Sequence, residues 1–217
     1  MRLKSRTFTA MAVAITGAIQ AGAQMPGAPA LQNAWAAPGI VVALNIAGGS
    51  NGSVYAGAAG WAPSRGRFQL SGGAGMQASQ GAGSRAVYGA RVAVPVMQLM
   101  GGKVGIAAFG GIGGGAGSAT DSLRSNTVVP GGVAIGYRQS IGSGGRGFSV
   151  FADPGYQYHS GTTGSQGYLR VGYGIDAGIS SRFGLTIGGE SGGIAGSGKA
   201  GPTGSLYGVG VSMKLGR

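Results

Sequence analysis

Between Tyr168 and Ile179 the odd positions are Leu169, Val171, Tyr173, Ile175, Ala177 and Ile179, and the even positions are Tyr168, Arg170, Gly172, Gly174, Asp176 and Gly178. Side chains on a β-strand point alternately to its two faces, so a period of two gives this segment one apolar face and one face mostly of glycine and charge. A helix, with its period of 3.6, would mix the two sets. The pattern returns at 182–190, where Phe183, Leu185 and Ile187 alternate with Arg182, Gly184, Thr186, Gly188 and Glu190. It returns again at 206–216, where Tyr207, Val209, Val211, Met213 and Leu215 alternate with Gly208, Gly210, Ser212, Lys214 and Gly216.

Upstream the alternation continues with more interruptions, and it predicts strands near 39–47, 53–62, 67–77, 85–94, 103–113, 128–139 and 147–158. With the three C-terminal segments that makes ten strands, with eight as the main structural alternative. Each is about the 9 to 11 residues that cross a bilayer when tilted. Pro95, Pro130 and Pro154 fall in or beside strands, where proline removes a ladder donor.

The chemistry of the two faces decides between a soluble and a membrane protein. A soluble sandwich buries its apolar face and presents Lys, Glu and Thr to water. Here the second face is mainly glycine, and charged residues are only 9% of the chain, against the usual quarter or so. Turned inside out, the pattern is consistent: apolar side chains meet lipid and small residues line a narrow interior. Glycine, at 51 of 217 residues, lacks the strict three-residue period of collagen. A slightly positive mean hydropathy argues against disorder.

The first residues predict export. Arg2, Lys4 and Arg6 precede an apolar run from Phe8 to Ile19, and Ala21-Gly22-Ala23 supplies a small-x-small cleavage site. The run is too short to span a bilayer, which takes roughly 20 residues. The expected organisation is a signal peptide over 1–23, cleaved after Ala23, a leader over 24–38 containing Pro26, Pro29 and Pro38, and a glycine-rich barrel domain over 39–217. Cleavage lowers the formal charge from +12 to +9. The chain has no cysteine, so no disulfide staples it.

In a barrel with an even strand count, long outer loops alternate with short periplasmic turns. The segments 114–127, 159–167 and 192–204 are predicted as long outer loops, and Pro63–Gly66 and Ser180-Ser181 as short turns, with 141–146 intermediate. The connection through Met97 to Gly102 is long for a turn. Aromatic residues fall near both ends of the strands: Trp61, Phe68, Tyr137, Phe148 and Phe183 by the turns, and Tyr55, Tyr158, Tyr168 and Tyr207 by the loops. They are expected to form the interfacial girdles of such a barrel.

On these features residues 39–217 resemble the small outer-membrane β-barrel proteins of Gram-negative bacteria, in architecture and not through a motif. The resemblance implies an all-β, antiparallel, up-and-down transmembrane barrel in contact with membrane lipid. It also implies handling by the outer-membrane assembly machinery, which reads a terminal aromatic residue. Here the last strand ends Met213-Lys214-Leu215-Gly216-Arg217 without that aromatic, leaving Leu215 as its apolar anchor.

The inward face is expected to carry Arg67, Arg85, Arg91, Lys103, Arg138, Arg170, Arg182 and Lys214 against Asp153, Asp176 and Glu190. A three-residue loop between strands 8 and 9 would set Gly178 opposite Arg182 and Arg170 opposite Glu190, predicting an interior Arg170–Glu190 ion pair, since unpaired charge in a narrow lumen is costly. The expected role is structural, or passive passage of small solutes with a weak preference for anions. The basic residues also suggest contact with anionic outer-leaflet head groups. They are scattered, and together with export this argues against nucleic acid.

The rival readings are a secreted glycine-rich β-module with an adhesive or structural role and an outer-membrane lipid hydrolase. No fixed-period repeat supports the first. The second would use the lone histidine, His159, with Ser160, but adjacent strand residues point to opposite faces. His159 is expected to be a solvated loop residue. Gly193–Ala200 lacks the Ser or Thr of a phosphate-binding loop, and Gly111–Ala116 matches a dinucleotide fingerprint by glycine abundance alone. No enzyme, cofactor or metal site is expected, and oligomeric state stays open.

Overall fold

The computed structural model describes residues 30–35, 38–49, 52–64, 66–79, 83–116, 126–142, 146–161, 164–195 and 205–215. The expected signal peptide lies outside the described residues, as do most of the two long loops after the fifth and ninth strands.

Ten strands form one closed antiparallel barrel: β1 Gly39–Gly49, β2 Gly52–Ala62, β3 Gln69–Ser79, β4 Gly83–Leu99, β5 Val104–Gly115, β6 Asn126–Ser140, β7 Gly147–Gly161, β8 Gly164–Gly178, β9 Phe183–Ala195 and β10 Leu206–Leu215. Each strand pairs with its sequence neighbours, and β1 closes the ring against β10, with Ile40 opposite Leu215 and Ala47 opposite Gly208. Closure leaves no unpaired edge, which a membrane would penalise.

The burial pattern is inside out. On β1, Val41, Ala43, Asn45 and Ala47 are buried while Ile40, Leu44 and Ile46 are exposed. On β8, Tyr168, Arg170 and Gly172 are buried while Leu169, Val171 and Ile175 are exposed. Leu44 is 74% exposed and Arg91 only 7%. Large apolar side chains therefore coat the outside, and small, amide and charged ones fill the lumen.

Proline interrupts the ladders where the sequence suggests it would. β4 carries an irregularity between Pro95 and Met97, and the β5–β6 and β6–β7 ladders each break beside Pro130 or Pro154. A residue without an N–H cannot donate across the sheet.

Several expected boundaries need correction. Residues 159–167 do not form a long loop: β7 and β8 stay paired out to Gly161 opposite Gly164, so only 162–163 connect them. The alternation continues through this segment, which is what lets the ladder grow past the length a bilayer requires. β4 likewise runs on to Leu99 and turns through the short 3-10 segment Met100–Gly102, which accounts for the long fourth connection. The β8–β9 register is shifted by two from the expected one, with Gly178 opposite Gly184 and Gly172 opposite Glu190. A shift of two keeps every side chain on its face, so alternation alone does not exclude it.

Candidate functional site

The main feature of the lumen is the leader. Residues 30–35 do not merely run into β1; they enter the barrel from the end where β1 begins. The Ala30 amide donates to Asn45 Oδ1 on β1 (3.2 Å), Gln32 C=O accepts from Arg91 Nη1 on β4 (3.0 Å), and Asn33 Nδ2 donates to Asp176 Oδ2 on β8 (2.5 Å). Ala34 is buried with Ala93, Ala107, Phe109 and Ala134. The Trp35 ring lies against Gly105 and Gly136, where a Cβ atom would come within 2.8 and 2.5 Å of it. The small inward residues of β5 and β6 therefore make room for this segment. Arg138 covers Trp35 from the mouth, its guanidinium 5.2 Å from the ring centre.

Among the described residues four polar clusters line the lumen, and those of Arg91 and Asp176 contact the segment. At mid-height Arg91 Nη1 is 3.6 Å from Asp153 Oδ2, and its guanidinium sits 4.2 Å from the centre of the Phe109 ring. Nearer the mouth, Asp176 Oδ1 accepts from the Thr186 hydroxyl (2.6 Å), while Oδ2 accepts from Asn33 and from the Ser149 hydroxyl (3.2 Å). Toward the loop end, Arg170 Nε donates to Glu190 Oε1 at 2.8 Å, and Gln157 Nε2 donates to the same oxygen at 3.0 Å. The Arg170–Glu190 pair forms diagonally, since Arg170 faces Gly192 and Glu190 faces Gly172. The long arginine side chain spans the offset. Also at this end, Arg85 Nε donates to Gln77 Oε1 (3.1 Å) and Nη1 to Asn126 Oδ1 (3.3 Å).

Not every residue assigned to the lumen lies in it. Arg85, Arg91, Asp153, Arg170 and Glu190 are buried there, with Asp176 partly buried. Arg67, Lys103, Arg138 and Arg182 are exposed at the short-turn end, and Lys214 is half-buried there. Their parity is inward, but they sit on the last residues of strands or in the turns, where the wall has ended. Tyr168 is not a girdle residue; it is 2% exposed and packs edge-on against His159, ring centres 4.9 Å apart. His159 is likewise not a solvated loop residue, being 3% exposed, because the extended β7–β8 ladder carries it inside. Its Nε2 is 3.3 Å from Gln157 Oε1, whereas Ser160 faces outward and bonds Ser165 (3.3 Å), so the two do not meet.

The outward aromatics are Tyr55, Trp61, Phe148, Tyr158, Phe183 and Tyr207, with Trp61 edge-on to Phe68 and Tyr137 tilted against Phe148 at the turn end. Tyr88 and Tyr156 also face outward and were not singled out by sequence. Gly111–Gly115, the dinucleotide look-alike, is part of β5. Among the described residues, no group of His, Cys, Asp and Glu could hold a metal ion.

Among solved structures, the β domain of the Bordetella autotransporter Brka matches over 83% of this chain and 86% of its own, at 17% identity and a TM-score of 0.50. The fold is that of outer-membrane β-barrels. The structure of the NanC porin also matches, over 81% of this chain and all of its own, at 11% identity and a TM-score of 0.40. No protein-family model and no curated protein matches the sequence.

Proposed function

We propose that this chain is exported to a bacterial outer membrane, where it is a structural, non-enzymatic barrel kept shut by its own N-terminal segment. The observation that carries the membrane reading is the reversed burial. Leu44, Ile46, Ile187 and Tyr207 are each more than half exposed, while Arg91, Asp153, Arg170 and Glu190 are inside. A surface this apolar is unfavourable in water over such an area and is favoured in hydrocarbon. What supports a shut lumen is the burial of Ala30, Gln32 and Ala34 inside it, with Arg91 and Asp176 bonded to the same segment. Passage of small anions is the second reading, and it requires the segment to move. Contact with anionic outer-leaflet head groups would rest on Arg124 and Lys199, which lie outside the described residues.

Substituting Leu44→Arg tests the membrane reading. Leu44 is at the middle of β1, between Gly57 and Val211. In lipid vesicles the variant is expected to lose about 2–4 kcal/mol of folding stability, the cost of an arginine near the bilayer midplane. On a protein that folds in water the same exposed change would fall within about 0.5 kcal/mol. Urea titrations of both proteins in vesicles distinguish these, and a change of the second size refutes the lipid-facing assignment.

A further inference from the structure

The exposed cations are unevenly placed. Among the described residues the exposed Arg67, Lys103, Arg138, Arg146 and Arg182 all lie at the short-turn end, joined by the half-buried Lys214, and no exposed acidic residue accompanies them. Two cavities open there, of about 240 and 350 Å³, on either side of the leader, and both are walled by Asn33, Trp35 and Asp176. The smaller is lined by Arg182 and Lys214, the larger by Arg138 and Arg146. Asp176 is held by Asn33, Ser149 and Thr186, and no ion pair among the described residues engages these four cations.

We infer that this mouth is a binding site for a small polyvalent anion bearing phosphate or carboxylate groups. Direction favours a solute over a lipid head group. Arg138, Arg182 and Lys214 share the inward parity of their strands, while Tyr137, Phe183 and Met213 hold the outward positions beside them. Guanidinium groups present paired donors that match phosphate and carboxylate oxygens. Hydroxyls of Ser180 and Ser181 in one cavity and Ser140 in the other add neutral donors. Two cationic cavities flanking one segment suit a ligand with two or more separated charges. Binding there would also clamp the Asn33–Trp35 stretch between its charges and the lumen. This inference rests on the barrel fold and not on the proposed cellular role.

The test is calorimetry of the folded full chain in neutral detergent at low ionic strength, with tripolyphosphate and citrate as separate probes. At least one is expected to bind, to weaken as salt is added, and to weaken about tenfold or more in the Arg146→Gln/Arg182→Gln double variant, the loss expected for even one charge-assisted hydrogen bond. Whichever probe binds more tightly identifies the charged group. The variant's unheated gel mobility reports that the barrel is intact. No binding of either anion, equal affinity in the folded variant, or binding confined to anionic-lipid vesicles overturns the inference and leaves the fold standing.

Discussion

Deleting residues 24–35 is expected to turn an electrically silent barrel into a conducting one. In planar bilayers the full mature chain should insert without steady openings, because Ala30, Gln32 and Ala34 are buried in the lumen and Trp35 wedges against Gly105 and Gly136. Removing the segment leaves inward walls that are largely glycine and alanine on β1, β2 and β5, with Gly132, Ala134 and Gly136 on β6, too small to refill the space. The openings should favour anions. The buried lumen charges Arg85, Arg91 and Arg170 are offset by Asp153, Asp176 and Glu190, so the cationic mouth sets the selectivity. Gly136→Leu gives a second route with the segment retained, since a side chain there collides with the Trp35 ring. If both variants stay as silent as the parent while showing folded mobility on gels, the segment is not what closes the barrel.

The second large effect is expected at Glu190. Glu190→Ala leaves Arg170 buried at 8% exposure without its carboxylate and strips Gln157 of its acceptor. Removing one partner of a buried ion pair costs about 3–5 kcal/mol, since the remaining charge is uncompensated. The Arg170→Met/Glu190→Leu double replacement should be far milder, because it removes both charges together. Urea midpoints of the three proteins in the same vesicles measure the difference. A single variant no weaker than the double one would mean that water or another group already serves Arg170.

The legible and illegible parts of this molecule separate on physical grounds. Alternation predicted ten strands because each position's face is set by parity, and parity survives small errors of boundary. Register was not fixed in the same way. The β8–β9 turn closes with the Ile179 and Ser180 amides donating to Phe183 C=O (2.9 and 3.2 Å), and with Ser180 Oγ accepting from the Arg182 and Phe183 amides (3.2 and 3.1 Å). That local network moves the pairing by two, a change the hydrophobic pattern does not record.

Strand ends were harder still. His159 and Tyr168 were expected in or beside an outer loop because the apolar run fades there, yet their mutual packing inside the barrel extends the ladder to Gly161 and Gly164. The same fading concealed where the wall stops at the other end, so Arg67, Lys103 and Arg182 were placed in the lumen when they stand at its mouth.

The leader was missed because its order is entirely tertiary. It has no strand or helix of its own within 30–35, and its partners Asn45, Arg91, Asp176, Gly105 and Gly136 come from five different strands. One signal was available. A ten-stranded ring lined this heavily with glycine and alanine must be either hollow or filled by something else. Asn33 and Trp35 were the nearest unplaced residues able to fill it.

The most direct measurement of the central claim is the gel mobility of the detergent-extracted mature protein, unheated and boiled, taken from the membrane fraction. A closed barrel whose outside is apolar and whose ring is sealed by the β1–β10 ladder resists the detergent until boiled. The expected result is a membrane-bound protein whose band shifts on heating. A chain recovered free in the medium, with one mobility before and after boiling, would contradict the account.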